Sequence, residues 1–181
     1  GLSACGSFSG KVRHIKIASA YGTAIFYGDF VKLVAAGTVE KAAVTTAVVA
    51  GTVGIFVGCT YTDPNSSQMT FNQQWPASTV ASDAYAYVVD DPKLLFRMQG
   101  DEAIAQTGLG NNVSAVSTAG STSIGRSKNA LDGGSIATTN SLPLRIVDFV
   151  DGPTSSVGDT YTDCIVTYLP LSHAYETKLG V

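Results

Sequence analysis

The sequence predicts an all-β domain, and three observations point to that class. Val and Thr together number 38 against 11 Leu, and these stiff β-branched residues fit a pleated sheet better than a helix. Nineteen Gly and six Pro supply many turns. No heptad or long amphipathic helix is visible. At 181 residues the chain suits one domain. We expect a single β domain over residues 11–171, between a flexible arm at 1–10 and a tail at 172–181.

The first strands follow from short β-branched runs in residues 28–58, which read GDFVKLVAAGTVEKAAVTTAVVAGTVGIFVG. The dipeptides Ala36-Gly37 and Ala50-Gly51 interrupt these runs, and glycine permits the tight reversal that an antiparallel pair needs. Residues 12–17 alternate in the same manner ahead of this segment. The predicted strands of this half are 12–17, 30–35, 38–44 and 53–60, with 30–44 as the first hairpin.

The clearest two-residue alternation lies between residues 85 and 98. Tyr85, Tyr87 and Val89 fall on one face of a strand, and Asp90-Asp91-Pro92 then turns the chain. Residues 69–75 show a similar alternation, which would place Met69, Phe71 and Trp75 on one side. The further predicted strands are 69–75, 84–89, 94–98, 142–150 and 160–169.

Residues 107–141 differ from the rest in composition, because Gly, Ser, Asn and Thr dominate and large hydrophobic residues are few. A structureless loop of this length is unusual inside a compact domain. The segment is therefore expected to be a long Gly/Ser/Thr-rich excursion, either disordered or ordered against a neighbouring subunit.

Charged residues are sparse, at 14% of the chain against 45% hydrophobic. A soluble surface usually carries about 25–35% charged residues. The shortage favours a surface that meets protein, and a surface rich in Ser, Thr and Asn is the alternative. Residues 1–50 hold five basic and two acidic groups, whereas residues 51–181 hold six and twelve. The basic N-terminal segment suits an acidic partner surface, and its few charges argue against direct nucleic-acid binding.

The three cysteines, Cys5, Cys59 and Cys164, have no metal-ligand spacing, and their odd number argues against a disulfide framework. We expect buried free thiols and folding in a reducing compartment such as a cytosol. Residues 1–15 contain no apolar signal segment, and a preceding segment is possible. The uncharged run at 42–62 contains Gly, Thr and two-residue alternation, so we interpret it as buried strands and expect no membrane span.

No residue pattern indicates catalysis, a cofactor or a metal. His14 and His173 are the two histidines, and no GxSxG nucleophile motif accompanies them. Asp90 and Asp91 are adjacent, so in a strand they would point to opposite faces, and we interpret them as turn-capping residues. The glycines of 51–58 lack the Gly-Lys-Ser/Thr of a phosphate loop.

Four aromatic residues, Phe71, Trp75, Tyr85 and Tyr87, permit three interpretations. Core packing is the simplest. They could instead anchor an inter-subunit contact, since aromatic residues dominate such anchors. Trp75 and the tyrosines could also stack against sugars.

A series of motifs resembles the head decoration (cement) proteins of tailed bacteriophages. In order, these motifs are GDFVKLVAAGTVEKA, VGIFVG, QWPAST, AYVVDDPKLLFRMQGDEA, AGSTSIGRSKNALDGGSIATTNSLPLRIVDFV and CIVTYLPLSHAYE. They cover most of residues 10–175. Each is weak alone, whereas the DDP turn with its following strand and the GSTS…LD…TT stretch are specific together. The CGSFSG arm, the DFVDGPTSSVG linker and the YETKLGV tail depart from the expected pattern.

The resemblance implies a jelly-roll-like domain or a related β-barrel or sandwich, without enzymatic activity. Such a protein forms a homotrimer on the outer surface of the virion, after synthesis in the host cytoplasm, and bridges neighbouring major capsid protein subunits. The expected contacts are the flexible segments 1–16 and 107–141. The candidate contact residues are Lys11, Arg13, Lys16, Arg126 and Lys128. A carbohydrate-binding or adhesion module on the virion surface is the alternative function.

Overall fold

The computed structural model describes residues 11–45, 51–177 and 180, together with the backbone of residues 3 and 4. In that part of the chain it contains twelve strands and two short 3₁₀ helices, Gln106–Gly108 and Pro170–Ser172. The strands are β1 (Ser3–Ala4), β2 (Arg13–Lys16), β3 (Phe30–Leu33), β4 (Val39–Lys41), β5 (Thr52–Thr62), β6 (Met69–Asn72), β7 (Tyr85–Val89), β8 (Phe96–Gln99), β9 (Asn112–Val116), β10 (Ala130–Ala137), β11 (Leu144–Phe149) and β12 (Asp163–Tyr168).

The strands form two antiparallel sheets of six strands each, as in a β-sandwich. The first sheet has the order β1-β8-β12-β11-β9-β10. The second has the order β2-β7-β5-β3-β4, and β6 also pairs with β5. The predicted all-β class is therefore confirmed, while the jelly-roll topology stays a prediction.

Every strand predicted within 12–98 and 142–169 overlaps a strand of the structure. The first hairpin is confirmed by the antiparallel pairing of β3 with β4, in which Leu33 faces Val39. Gly37 takes a φ of 71° in the connecting turn, a backbone region that glycine enters at little cost. Local turn chemistry thus fixes this part of the fold.

The interpretation of 107–141 as a loop excursion is wrong. The segment contributes β9 and β10, which pair with each other, and β9 also pairs with β11 of the same chain. Val113 and Leu131 are fully buried and supply the apolar face. Ser114 on the opposite face is satisfied locally, because its hydroxyl donates to Asp132 and its N–H donates to the hydroxyl of Ser135. Short polar side chains therefore take the place that larger residues usually occupy in a sheet.

Two hydrophobic cores lie on opposite faces of the second sheet. The core between the sheets combines Phe30, Ile55 and Val89 with residues of the first sheet such as Phe96 and Val166. The other core belongs to the second sheet and its loops, and includes Ile17, Val39, Phe56, Cys59 and Trp75. In the second sheet, β2 and β4 are the two outer strands. A parallel bridge joins Ile17, next to β2, to Val39 of β4, so the sheet curls around its own core.

Close strand packing requires glycine at one position of β5. A Cβ on Gly54 would lie 2.0 Å from the carbonyl oxygen of Val89. Any side chain at residue 54 would therefore push β5 away from β7. Gly54 therefore has a packing role in the sheet.

The predicted thiol state is confirmed for the two described cysteines. Cys59 and Cys164 are buried and free, one in each core. Burial raises the pKa of both thiols to about 12. Cys5 lies outside the described residues.

Both predicted extremities hold more structure than expected. In the arm, Ser3 and Ala4 pair with β8 of the first sheet, while residues 1, 2 and 5–10 lie outside the described part. In the tail, His173 is fully buried, and the N–H of Ala174 donates to the carbonyl of Thr52 at 2.6 Å. The tail therefore packs on the domain over 172–177.

Candidate interaction surface

One face of the second sheet is covered at one end and open at the other. Strand β7 shows this change, because Val89, Tyr87 and Tyr85 point to the same side. Val89 is 6% exposed in the core between the sheets, Tyr87 is half-buried and Tyr85 is 42% exposed. The second sheet thus extends beyond the cover of the first.

Strand register assembles the residues of this open end. His14 and Lys16 of β2 lie opposite Tyr87 and Tyr85 of β7. On the other side of β7, Gly58 and Thr60 of β5 lie opposite the same two tyrosines, and Phe71 and Met69 of β6 face Thr60 and Thr62. We call this surface the aromatic face. It comprises His14, Lys16, Gly58, Thr60, Met69, Phe71, Tyr85 and Tyr87.

Three rings of the aromatic face are held against one another. The His14 ring meets Tyr87 edge-on with centroids 4.4 Å apart, and Phe71 lies 5.3 Å from Tyr87 on its other side. Phe71 also covers Gly58, since a Cβ there would come 3.4 Å from its ring. Phe71 nevertheless stays 68% exposed, and Met69 is 78% exposed. The face therefore presents apolar groups that are ordered and still open to solvent.

The charges at this surface are unevenly placed. Lys16 and His14 are exposed along the β2 side. Asp83, just before β7, accepts hydrogen bonds from the N–H and the hydroxyl of Thr62, at 3.1 and 2.6 Å. The hydroxyl bond is the main reason that the pKa of Asp83 lies below its usual value. The Asp83 carboxylate therefore keeps its negative charge at the Thr62 corner of the face.

Trp75 does not share this surface, and the prediction that it lies beside Met69 and Phe71 is wrong. Strand β6 ends at Asn72, so the two-residue alternation stops before the tryptophan. Trp75 has no exposed surface, packs edge-on against Tyr61 and donates its indole N–H to the carbonyl of Tyr21 at 3.3 Å. Core packing is the correct interpretation for this residue, and it offers no ring for stacking against a sugar.

A second polar cluster joins the start of β2 to the tail. Arg13 forms an ion pair with the buried Asp90, with Nε and Oδ2 2.5 Å apart. Tyr175 donates its hydroxyl to the same Oδ2 at 3.0 Å and lies under the Arg13 guanidinium, 5.3 Å away. Burial, and then the bond to Asp90, raise the pKa of Tyr175. We call Arg13, Asp90 and Tyr175 the terminal clamp.

The five predicted contact residues fall into two groups on different elements. Lys11, Arg13 and Lys16 lie at or before β2, and Arg13 is held in the terminal clamp beside Lys11. Arg126 and Lys128 are exposed on a segment that runs beside Tyr27, whose N–H donates to the carbonyl of Gly125. Among the exposed residues, sequence reasoning missed Met69 as a contact candidate, although its alternation with Phe71 was visible.

The groups that could carry chemistry have structural partners. His14 packs on Tyr87, while Nδ1 of the buried His173 accepts the N–H of Tyr175 at 3.2 Å. Asp91 accepts the N–H of Lys93 at 2.9 Å, as expected of a turn cap. Three carboxylates of Asp101, Glu102 and Asp132 come within 4.8 Å of one another, but such exposed acidic groups are common without a metal.

Comparisons with protein-family models, curated proteins and solved structures found no match to this chain. Within the described residues, no helix is both long and apolar enough to cross a membrane. Fold and surface are therefore the basis for a functional proposal.

Proposed function

We propose that this protein is a structural virion component without catalytic activity. As a homotrimer it decorates the outer surface of a tailed-phage capsid and bridges neighbouring major capsid protein subunits. The resemblance of a series of sequence motifs to those of head decoration proteins motivates the proposal. It implies synthesis in the host cytoplasm and needs no cofactor, nucleic acid or membrane.

The exposed apolar surface carries the proposal. In the described part of the chain, eleven large hydrophobic side chains are at least 36% exposed. They are Val12, Met69, Phe71, Val80, Tyr85, Leu109, Ile124, Val147, Tyr161, Leu171 and Tyr175. Only 14% of the residues are charged. A surface with this composition suits a protein that functions in stable contact with other subunits.

The mechanism is the selective stabilisation of one lattice. A protein that binds only the expanded shell adds its binding free energy to that state and shifts the equilibrium towards it. Three contact sites on one trimer act together, because the first contact raises the effective concentration of the other two. A scaffold of two packed β-sheets is suited to this function, since it is stiff enough to hold the contact sites at a fixed separation.

Glycan binding is the second candidate, because the rings of Phe71 and Tyr85 are exposed on one face. Burial of Trp75 removes the largest of the rings on which that function would depend. The candidate therefore rests on the aromatic face alone.

Mass measurement and shell binding test the proposal together. Native mass spectrometry of the purified chain should give three subunits. The chain should also sediment with expanded coat-protein shells from particles that lack it, and not with unexpanded shells. A monomer that does not bind expanded shells would contradict the proposal. If that monomer bound sugars on a glycan panel, glycan binding would be favoured instead.

A further inference from the structure

We propose that the aromatic face is the surface by which this protein docks, and that its partner is an apolar protein surface bordered by carboxylates. The inference rests on the proposed function and names the docking surface and the chemistry it recognises. It differs from the expectation that segment 107–141 makes these contacts, because β9 and β10 complete the chain's own first sheet, and from segment 1–16 it retains only His14 and Lys16.

The exposed residue types are those that protein interfaces favour. Met, Phe and Tyr are enriched in interface cores relative to the remaining surface. Here Met69, Phe71 and Tyr85 are 78%, 68% and 42% exposed on three strand positions of one face. A partner covering them would bury apolar area on the scale of a binding hot spot, with little ordering cost for the rings that are already packed.

The face is also a direct continuation of a protein core. Val89 and Tyr85 lie on the same side of β7, one inside the core between the sheets and the other in solvent. The first sheet therefore covers this side of β7 at Val89 and leaves it uncovered at Tyr85. A second protein placed there would extend an apolar layer that the fold itself begins.

Charge complementarity defines the border of the partner. Lys16 lines the β2 side of the face, whereas the Asp83 carboxylate lies at the opposite corner, hydrogen-bonded to Thr62. The defined face contains no acidic residue of its own. Carboxylates on the partner would therefore meet Lys16 directly and would have no competing carboxylate within the face.

The same features disfavour two other occupants. If the aromatic face met its counterpart in a second copy, Lys16 would find no carboxylate there. A sugar stacks on flat rings, whereas Met69, the most exposed member, presents a flexible thioether of the kind that protein interfaces favour. An apolar protein surface with a carboxylate opposite Lys16 fits both the thioether and the ammonium group.

The test uses the full chain and expanded coat-protein shells lacking it. The double substitution Phe71→Ala, Tyr85→Ala should weaken shell binding by roughly tenfold or more, as loss of interface anchors does. The matched control is Ile124→Ala, Leu171→Ala, which removes two side chains of 61% and 60% exposure outside the aromatic face. The control should bind within about twofold of the wild type, and both variants should keep the wild-type unfolding midpoint.

A charge variant and two further readouts complete the design. Lys16→Glu should weaken binding, and more strongly at low salt than at high salt. If wild-type protein binds the shells and the aromatic-face variant binds equally well, the docking inference fails while the proposed function stands. If wild-type protein does not bind at all, the proposed function itself fails.

Two outcomes would reassign the face. Dissociation of the subunits in the Phe71→Ala, Tyr85→Ala variant, seen by native mass spectrometry, would show that a second copy covers it. Binding of wild-type protein to a glycan panel, lost in that variant, would assign it to sugar. Either result overturns the inference.

Discussion

A single buried carboxylate joins three distant parts of the chain. Asp29 has no exposed surface, and its Oδ2 lies 2.9 Å from Nζ of Lys41 and accepts the N–H of Phe26 at 3.0 Å. Its other oxygen accepts the side-chain amide of Asn129 at 3.3 Å. A buried charge of this kind is tolerated only while its partners stay in place.

Replacing Lys41 with Met should destabilise the fold by about 3–5 kcal/mol, because the substitution leaves the Asp29 carboxylate buried without its cation. Urea unfolding measures the change. Lys93→Met is the matched control, since Lys93 is exposed, and it should shift the free energy of unfolding by no more than about 0.5 kcal/mol. Equal midpoints for the two variants would show that the ion pair contributes nothing.

His173 makes stability depend on pH. Burial lowers its pKa below the ordinary value of 6.5, against the opposing effects of the Val53 carbonyl, Glu176, Asp90 and Asp91. The unfolded chain therefore takes up a proton as the pH falls below about 6.5, while the folded chain stays neutral at this site. Stability from this residue is complete above that pH and is lost as the pH falls.

The unfolding free energy should decline between pH 7.5 and pH 5.5, by at most about 1.4 kcal/mol per pH unit from this residue. His173→Gln should flatten the profile, whatever its absolute stability. The control His14→Gln removes the exposed histidine of β2 and so separates the effect of the buried ring from that of a surface histidine. A slope that survives in His173→Gln would assign the dependence to other groups.

At the scale of elements, prediction from sequence succeeds where the signal is local. The hairpin of β3 and β4 follows from a β-branched run, a glycine turn and a second run. The prediction of a loop over residues 107–141 is wrong because large hydrophobic residues are few there and the strand pattern is weak. Val113 and Ala115 nevertheless alternate with Asn112 and Ser114. Hydrogen bonds between short side chains stabilise this pair of strands, and they depend on partners that sequence spacing does not reveal.

The candidate surface shows the same limit. Alternation places Tyr85 and Tyr87 on one face of β7, and the structure agrees. Whether that face is core or surface depends on how far the first sheet extends over it, which is a long-range property. The exposure of Phe71 and the burial of Trp75 likewise follow from the end of β6 at Asn72.

Amide hydrogen exchange tests the reassigned segment. In the isolated chain, the Ala115 N–H, which donates to the carbonyl of Val44, should be protected to the same degree as the amides of β5, because β9 belongs to the chain's own fold. Exchange as fast as in the exposed 64–68 turn would instead mean that the segment orders only against a neighbour.

At the scale of the whole molecule, the second sheet is the shared layer between two cores. Strand β5 contributes Ile55 to the core between the sheets and Phe56 to the core of the curled sheet. The terminal clamp then ties the beginning of β2 to the tail near the end of β7. Loss of this middle layer should therefore disrupt both cores together.

Each core contains one buried cysteine, so thiol modification can test whether the two cores unfold together. A thiol reagent can modify Cys59 or Cys164 only when the surrounding layer opens, since burial keeps both protonated and shielded. In a Cys5→Ser background, equal modification rates at the two positions in mild denaturant would indicate one folding unit. Faster modification of either would identify the half that opens first and contradict joint disruption.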